Sequence, residues 1–159
     1  FKQYLKENIF SPIDMNHSIV YDRTNFNELI MPTQGYENKT PWEDVYLNGV
    51  VGDKGIYSTT MDLLKFDRAL QENLLINDTL KKLAFSKKNK DYNKNKNYGY
   101  GFRLKDHTNY GKIVYHTGWW KGYRSYFIKV LKNDQTIIVL NNVKRGRFLN
   151  IDKLIGLIN

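Results

Sequence analysis

Tyr115-His116-Thr117-Gly118-Trp119-Trp120-Lys121-Gly122-Tyr123-Arg124-Ser125 is the stretch on which the reading of this chain turns. An apolar run, Ile113-Val114-Tyr115, leads into it, and a β-rich run from Tyr123 to Leu131 leaves it. The pattern predicts two antiparallel strands joined across Gly118 to Gly122. Glycines at both ends of that joint permit backbone angles and close approaches that a Cβ resists. His116 and Thr117 place a titratable ring and a hydroxyl at the strand end. Such a combination suits a substrate lying along a strand edge.

Working outward, the segments that follow extend the same sheet. Asn133-Asp134 reads as a turn, and Thr136-Ile137-Ile138-Val139-Leu140-Asn141 alternates so little that a strand buried on both faces is expected. Leu149 to Asn159 sets Leu154, Ile155 and Ile158 on one side of a helix able to close over the sheet. Upstream, Tyr98-Gly99-Tyr100-Gly101-Phe102-Arg103-Leu104 alternates as a first strand, its aromatics on one face and its glycines opposite. Residues 98–159 therefore predict a four-strand antiparallel meander with a covering helix.

Residues 1–97 read as a helical and loop part of the same segment. Phe1, Tyr4, Leu5 and Ile9 share a helical face, and Ser11-Pro12 is expected to end that helix. From Ile13 to Tyr46 no period persists, and single apolar anchors such as Met15, Ile30, Met31 and Trp42 stand among turn formers. Ser58 or Thr59 caps a helix from about Thr59 to Asn73, with Thr59 and Asp62 at capping-box spacing and Leu63, Phe66, Leu70 and Leu74 as its buried stripe. A shorter helix capped by Asn77 or Asp78 carries Leu80, Leu83 and Ala84. The fold class expected is α+β, an antiparallel sheet flanked by helices.

With 159 residues the chain holds one domain's worth of core, and its start reads like the inside of a helix cut from something longer. No apolar run approaches the ~20 residues of a membrane span. Lys and Arg outnumber Asp and Glu by 25 to 16, but much of the excess sits in the polar loop from Lys87 to Asn97. Aromatics stand beside glycines rather than between cations, so nucleic acid is not an expected partner. The absence of cysteine excludes a disulfide scaffold and any Cys-based metal site or nucleophile. His17 and His107 have no partners at metal-ligand spacing, and neither a metal nor a cofactor is expected. Lys54 between Gly52 and Gly55 lacks the spacing of a phosphate loop.

The order of five motifs resembles the C-terminal half of the serine beta-lactamase-related family, which groups class C beta-lactamases, D-alanyl-D-alanine carboxypeptidases and related esterases. They are Phe10-Ser11-Pro12-Ile13-Asp14-Met15, Gly52-Asp53-Lys54-Gly55-Ile56-Tyr57-Ser58-Thr59, Tyr98-Gly99-Tyr100-Gly101-Phe102, His116-Thr117-Gly118 and Ile138-Val139-Leu140-Asn141-Asn142. Members of that family carry Ser-x-x-Lys with the nucleophile, Tyr-x-Asn or a variant, and Lys-Thr-Gly or His-x-Gly on a sheet-edge strand. Only the third is present here. None of Ser11, Ser18, Ser58, Ser86 or Ser125 has Lys three positions on, and Tyr36-Glu37-Asn38 and Tyr46-Leu47-Asn48 match the second motif only in spelling.

The resemblance implies a penicillin-binding-protein-like serine hydrolase, acting through an acyl-enzyme on a small-molecule or peptidoglycan-type substrate in the bacterial periplasm or envelope. His116 would stand for the lysine of Lys-Thr-Gly, with weaker anchorage of an anionic substrate because an imidazole is mostly neutral at pH 7. Thr117 would offer its hydroxyl, the Trp119 amide one oxyanion-hole donor, and Gly118 room for the ligand. The Trp119 and Trp120 side chains would form a cleft wall or pack against the missing half, and Arg124 would meet a substrate carboxylate or make a structural ion pair. The missing N-terminal half would supply the serine, and the segment alone is expected to be inactive. The competing reading is a non-catalytic binding module of the same fold for a cell-wall peptide or protein partner.

Overall fold

The structure, a computed structural model, describes residues 1–22, 33–88 and 96–158. The expected anchors Ile30 and Met31 and residues 89–95 of the Lys/Asn loop lie outside the described residues.

Five strands form the main sheet: β5 (Lys96–Tyr98), β6 (Arg103–His107), β7 (Gly111–Trp120), β8 (Tyr123–Val130) and β9 (Gln135–Asn141). They pair antiparallel in chain order, a five-strand meander where the sequence suggested four. The extra strand comes from Tyr98 to Leu104, where the alternation does not make one strand. Gly99 to Phe102 turns between β5 and β6, with Gly101 at φ 76, an angle costly for side-chain-bearing residues. Gly99 lies so close to the end of a helix that a Cβ would sit 1.9 Å from the Ala84 carbonyl oxygen. The close approach expected of this glycine is real, although the strand face is not.

Gly118 is likewise no turn residue. β7 runs through it to Trp120, with Gly118 opposite Ser125 and Trp120 opposite Tyr123, leaving Lys121-Gly122 as a two-residue hairpin loop. Lys121 takes φ 50 there, and a Cβ on Gly122 would fall 2.2 Å from the Tyr36 amide nitrogen.

Helices cover both faces of the sheet. On one side, Tyr126, Ile128 and Val130 of β8 pack with Ile113 around Ile155 of α4 (Ile151–Ile155), all 2% exposed or less. Asn150 caps α4 by accepting from the amides of Asp152 and Lys153. On the other side lies α2 (Thr60–Gln71), started by Thr59, whose side chain accepts from the Asp62 amide. Phe66 of α2 meets Phe127 of β8 edge to face at 6.1 Å. The inward stripe differs from the predicted one. Leu70 and Ala69 are buried, but Leu74 is 64% exposed, while Asp62 and Asp67 face inward at 1% and 4%. In α3 (Asp78–Ala84), capped by Asn77, only Ala84 is buried, and Leu80 and Leu83 are exposed.

The inward acids have long-range partners, which is why a carboxylate can be buried there. Asp62 accepts from the His17 amide and the Ser18 hydroxyl, tying the N-terminal segment to α2. Asp67 accepts from Lys129 of β8 at 3.0 Å and from Thr136 of β9 at 2.7 Å, fastening the helix to the sheet. Asp134 receives Lys129 at 2.8 Å and the Gln71 amide at 2.7 Å.

The N-terminus is helical but not one regular helix. α1 (Lys2–Leu5) passes into a π turn over Lys6–Phe10 and a 3-10 turn over Ser11–Ile13, which ends where Asp14 turns left-handed at φ 57. Pro12 does not stop the spiral at residue 10, because a first-turn residue needs no amide partner. Phe1 and Tyr4 point outward at 56% and 63% exposure, and the inward side is Leu5, Ile9, Phe10, Ile13 and Met15. Between here and α2 the chain wanders as expected, with short pairs only. β1 (Ile19–Val20) pairs with β4 (Ile56–Tyr57), and β2 (Tyr36–Glu37) pairs with β3 (Thr40–Pro41) and, in parallel, with β10 (Val143–Lys144). β9 carries partly exposed rather than buried residues, since it is the outermost strand of its sheet.

Candidate active site

The site is where β7 outruns its neighbour. The β6–β7 register ends at Arg103 opposite Tyr115, whereas β7 continues against β8 from His116 to Trp120. Among the described residues these five positions have a strand on one side and none on the other, so the edge is open where the His-Thr-Gly sequence sits.

Alternation along the strand sends His116 and Gly118 to the face that carries Phe127 and α2, and Thr117 and Trp119 to the opposite face. His116 is about half buried, and its Nε2 lies 2.9 Å from the Tyr98 hydroxyl at the end of β5. Burial, then the nearby positive charge of Arg103, lowers its pKa below the ordinary 6.5, against a weaker opposing pull from the Thr117 backbone. The ring is therefore neutral at pH 7, as an imidazole in the lysine position was expected to be.

A cleft of about 690 Å³ begins at Gly118 and takes in Trp119, Trp120, Arg124, Ser125 and the Tyr57-Ser58 segment. His116 and Thr117 are not among the residues that line it. Trp119 is 57% exposed on its rim. Trp120 is fixed by donating from Nε1 to the Asn48 side-chain oxygen at 2.8 Å, and Lys54 stands 4.5 Å over its ring. Asn48 belongs to one of the two Tyr-x-Asn spellings, and here it serves as the anchor of an indole. Lys121 lies over both Trp42 and Trp120, at 4.8 and 5.7 Å. The aromatic wall is thus braced by cations on its ring faces.

The space at Gly118 is spoken for from the neighbouring strand, since a Cβ there would come within 2.2 Å of the Ser125 hydroxyl oxygen. Arg124 is 8% exposed, and its guanidinium donates to the carbonyls of Arg147 and Gly146 at 2.8 and 2.7 Å, with the Phe148 ring 4.8 Å away. It lines the cleft with both terminal nitrogens given to the 145–147 loop, and among the described residues its Nε has no partner and no acid pairs with it. We read Arg124 as a strap on that loop in place of the substrate ligand or ion pair expected.

Three groups at the site escaped the sequence reading. Tyr98 was assigned only a strand face, and Arg103 only a strand position, because nothing in one dimension signals that residues 18 apart meet. The third is the tyrosine file on the far wall. Tyr21, Tyr57 and Tyr123 stack edge to face at 5.7 Å each, and burial with the Tyr123 hydrogen bond pushes the Tyr57 phenol well above its usual range, so it stays protonated. Among the described residues no cluster of His, Asp and Glu is arranged to hold a metal, and no helix is long and apolar enough to cross a membrane.

Comparison with known proteins bears on the whole of this arrangement. The chain is 31% identical over 156 residues to penicillin-binding protein 4* of Bacillus subtilis (strain 168), covering 89% of this chain and 35% of that protein. It superposes on a penicillin-binding protein from Bacillus halodurans with a TM-score of 0.77 at 22% identity, over 91% of this chain and 46% of the other. The octameric penicillin-binding protein homologue from Pyrococcus abyssi gives 0.76 at 21%, over 90% and 34%. The D-amino acid amidase from Ochrobactrum anthropi SV3, complexed with D-phenylalanine, gives 0.68 at 18%, over 89% and 44%. The chain spans about a third of the curated relative it matches. The fold is that of these penicillin-binding proteins, and the profile of the family described as Beta-lactamase matches residues 1–157: the chain belongs to the beta-lactamase family.

Proposed function

We propose that this chain is the C-terminal part of a serine hydrolase that forms and hydrolyses an acyl-enzyme on a beta-lactam, a peptidoglycan-type amide or an ester. The observation that carries the reading is the open flank of β7 from His116 to Trp120, beyond the last β6 pair, running into the cleft at Gly118. An extended acyl donor can lie along such an edge and pair with its backbone. His116 and Thr117 then face the substrate from the strand end, and the Trp119 amide is one oxyanion donor, aimed at charge that develops only in the transition state. On this reading the attacking serine and its lysine come from outside these 159 residues, which contain no Ser-x-x-Lys. A bacterial envelope or secreted location goes with a peptidoglycan-type substrate.

The test is a pair of measurements with nitrocefin and a p-nitrophenyl ester. The protein carrying its preceding sequence hydrolyses one or both, and His116→Ala lowers kcat/KM by roughly 10²-fold or more, the usual scale for a proton-handling group. The 159-residue chain alone has no activity. Hydrolysis by the isolated chain that is lost on His116→Ala overturns the division of labour. A full-length protein that binds a labelled penicillin or cell-wall peptide without ever forming an acyl adduct supports the second reading, a binding module on the same fold.

A further inference from the structure

We propose that Tyr98 is a positioning residue of this site: its phenol donates to Nε2 of His116 and holds the imidazole in one neutral tautomer, with the ring proton on Nδ1. The consequence for catalysis rests on the hydrolase reading above; the pairing itself rests on geometry alone.

The hydroxyl lies 2.9 Å from Nε2, a full-strength hydrogen bond, and the two rings meet edge to face at 6.0 Å. Tyr98 is the last residue of β5, and Gly99 behind it is locked against the Ala84 carbonyl, so the tyrosine is delivered to the end of β7 by a turn with no slack. A neutral imidazole has one N–H and one lone pair, and which nitrogen carries which is decided by its partners. A phenol is a far better donor than acceptor toward a ring nitrogen, which makes Nε2 the lone-pair side.

The other surroundings agree. From β7 itself, the Thr117 backbone pulls weakly toward the charged ring. With Nε2 accepting from Tyr98, the one proton of the neutral ring is on Nδ1. From β6 the charged neighbour is Arg103, which opposes Tyr98 and Tyr115 in the ladder and disfavours an imidazolium. From β8 the residue opposite His116 is Phe127, backed by Phe66 of α2, and neither carries charge. Among the described residues no carboxylate pairs with the ring to stabilise its protonated form. Tyr98 and Arg103 therefore act in the same direction by different means, one by a bond to the lone pair and one through space, and the site keeps a neutral, oriented imidazole into mildly acidic solution.

The experiment uses the protein with its preceding sequence in place and ¹⁵N-labelled histidine. Long-range ¹H–¹⁵N spectra recorded across pH report the tautomer and pKa of each histidine, 3 of them in these 159 residues, and His116→Gln assigns the relevant signals. The wild-type spectrum is expected to show a lone-pair Nε2 and a protonated Nδ1. Tyr98→Phe keeps the ring packing but removes the donor; it is expected to shift the tautomer toward Nε2–H and raise the pKa by about half to one unit, the scale of one neutral hydrogen bond. Arg103→Gln raises the pKa without changing the tautomer, which separates the bond from the field. A wild-type ring protonated on Nε2, or a Tyr98→Phe ring unchanged in both respects, overturns the assignment. In kinetics, the acid limb of kcat/KM moves up with the Tyr98→Phe pKa. If the spectra shift as expected and that limb stays still, the pairing stands and it is the placement of His116 in the catalytic site that fails.

Discussion

Two polar constellations on the same sheet differ in how they are closed. At one end of β8, Lys129 is sealed at 5% exposure between Asp67 and Asp134, with Thr136 completing the coordination of the Asp67 carboxylate. Opposite Phe127, two residues back along β8, His116 of β7 is half exposed, meets a phenol instead of an acid, and sits where β6 has stopped pairing. The first has its lysine and Asp67 buried and matched, with only Asp134 reaching solvent; the second has one bond satisfied and an open edge. What separates a fastener from a candidate site here is the open strand edge and solvent access beside the polar group.

The largest effect that can break this contrast is expected in the sealed cluster. Lys129→Met leaves the Asp67 carboxylate buried without its cation, and a loss of about 3 kcal/mol in unfolding free energy is expected by urea denaturation. Replacing both, with Asp67→Leu added, is expected to recover most of that loss, since a matched apolar pair carries no desolvation cost. If Lys129→Met is neutral, the cluster is not the fastener described.

A smaller change sharpens the other side. Gly122→Ala puts a methyl against the backbone at Gly35 and Tyr36, atoms that cannot rotate away, and is expected to cost about 2 kcal/mol. Gly118→Ala meets only the hydroxyl of Ser125, which can turn aside, and its cost is expected to be lower and to vanish in a Ser125→Ala background. Equal costs for the two would mean that the hairpin is not clamped by the Gly35-Tyr36 segment.

The smallest effect concerns pH. His116 has its folded pKa below the unfolded value of 6.5, so the contribution from its neutral form is fully present above pH 6.5 and is lost as pH falls through the folded pKa. Because the ring is half exposed, the loss is under about 1 kcal/mol. Subtracting the stability–pH curve of His116→Gln from that of the wild type is expected to leave a slope confined to pH below 6.5. A flat difference curve would mean that the ring is as free as in the unfolded chain.

What could be read in one dimension was what repeats or what is local. The Thr59 cap with Asp62, the strands from Ile113 onward and the covering helix at Ile155 follow from spacing, because the partners lie within a turn or alternate along a strand. The hairpin at Tyr98 to Leu104 was misjudged because Gly99 and Gly101 mimic the small face of a strand, and only the Ala84 contact and a positive φ reveal a turn. Asp67 was invisible as a core residue, since its partners are 62 and 69 positions away. In the site, the His-Thr-Gly stretch was legible from its flanks. The phenol that orients His116 and the carbonyls that occupy Arg124 were not, because each depends on a loop closing from elsewhere.

The outermost position of β9 carries a practical consequence. Thr136-Ile137-Ile138-Val139-Leu140 is uncharged, β-branched in four of its five residues and free of proline and glycine, and among the described residues its far side pairs with no strand. Left bare, such a ladder recruits a second copy of itself, so a preparation of these 159 residues is expected to oligomerise edge to edge and to stay dispersed once a lysine interrupts the run at Ile138.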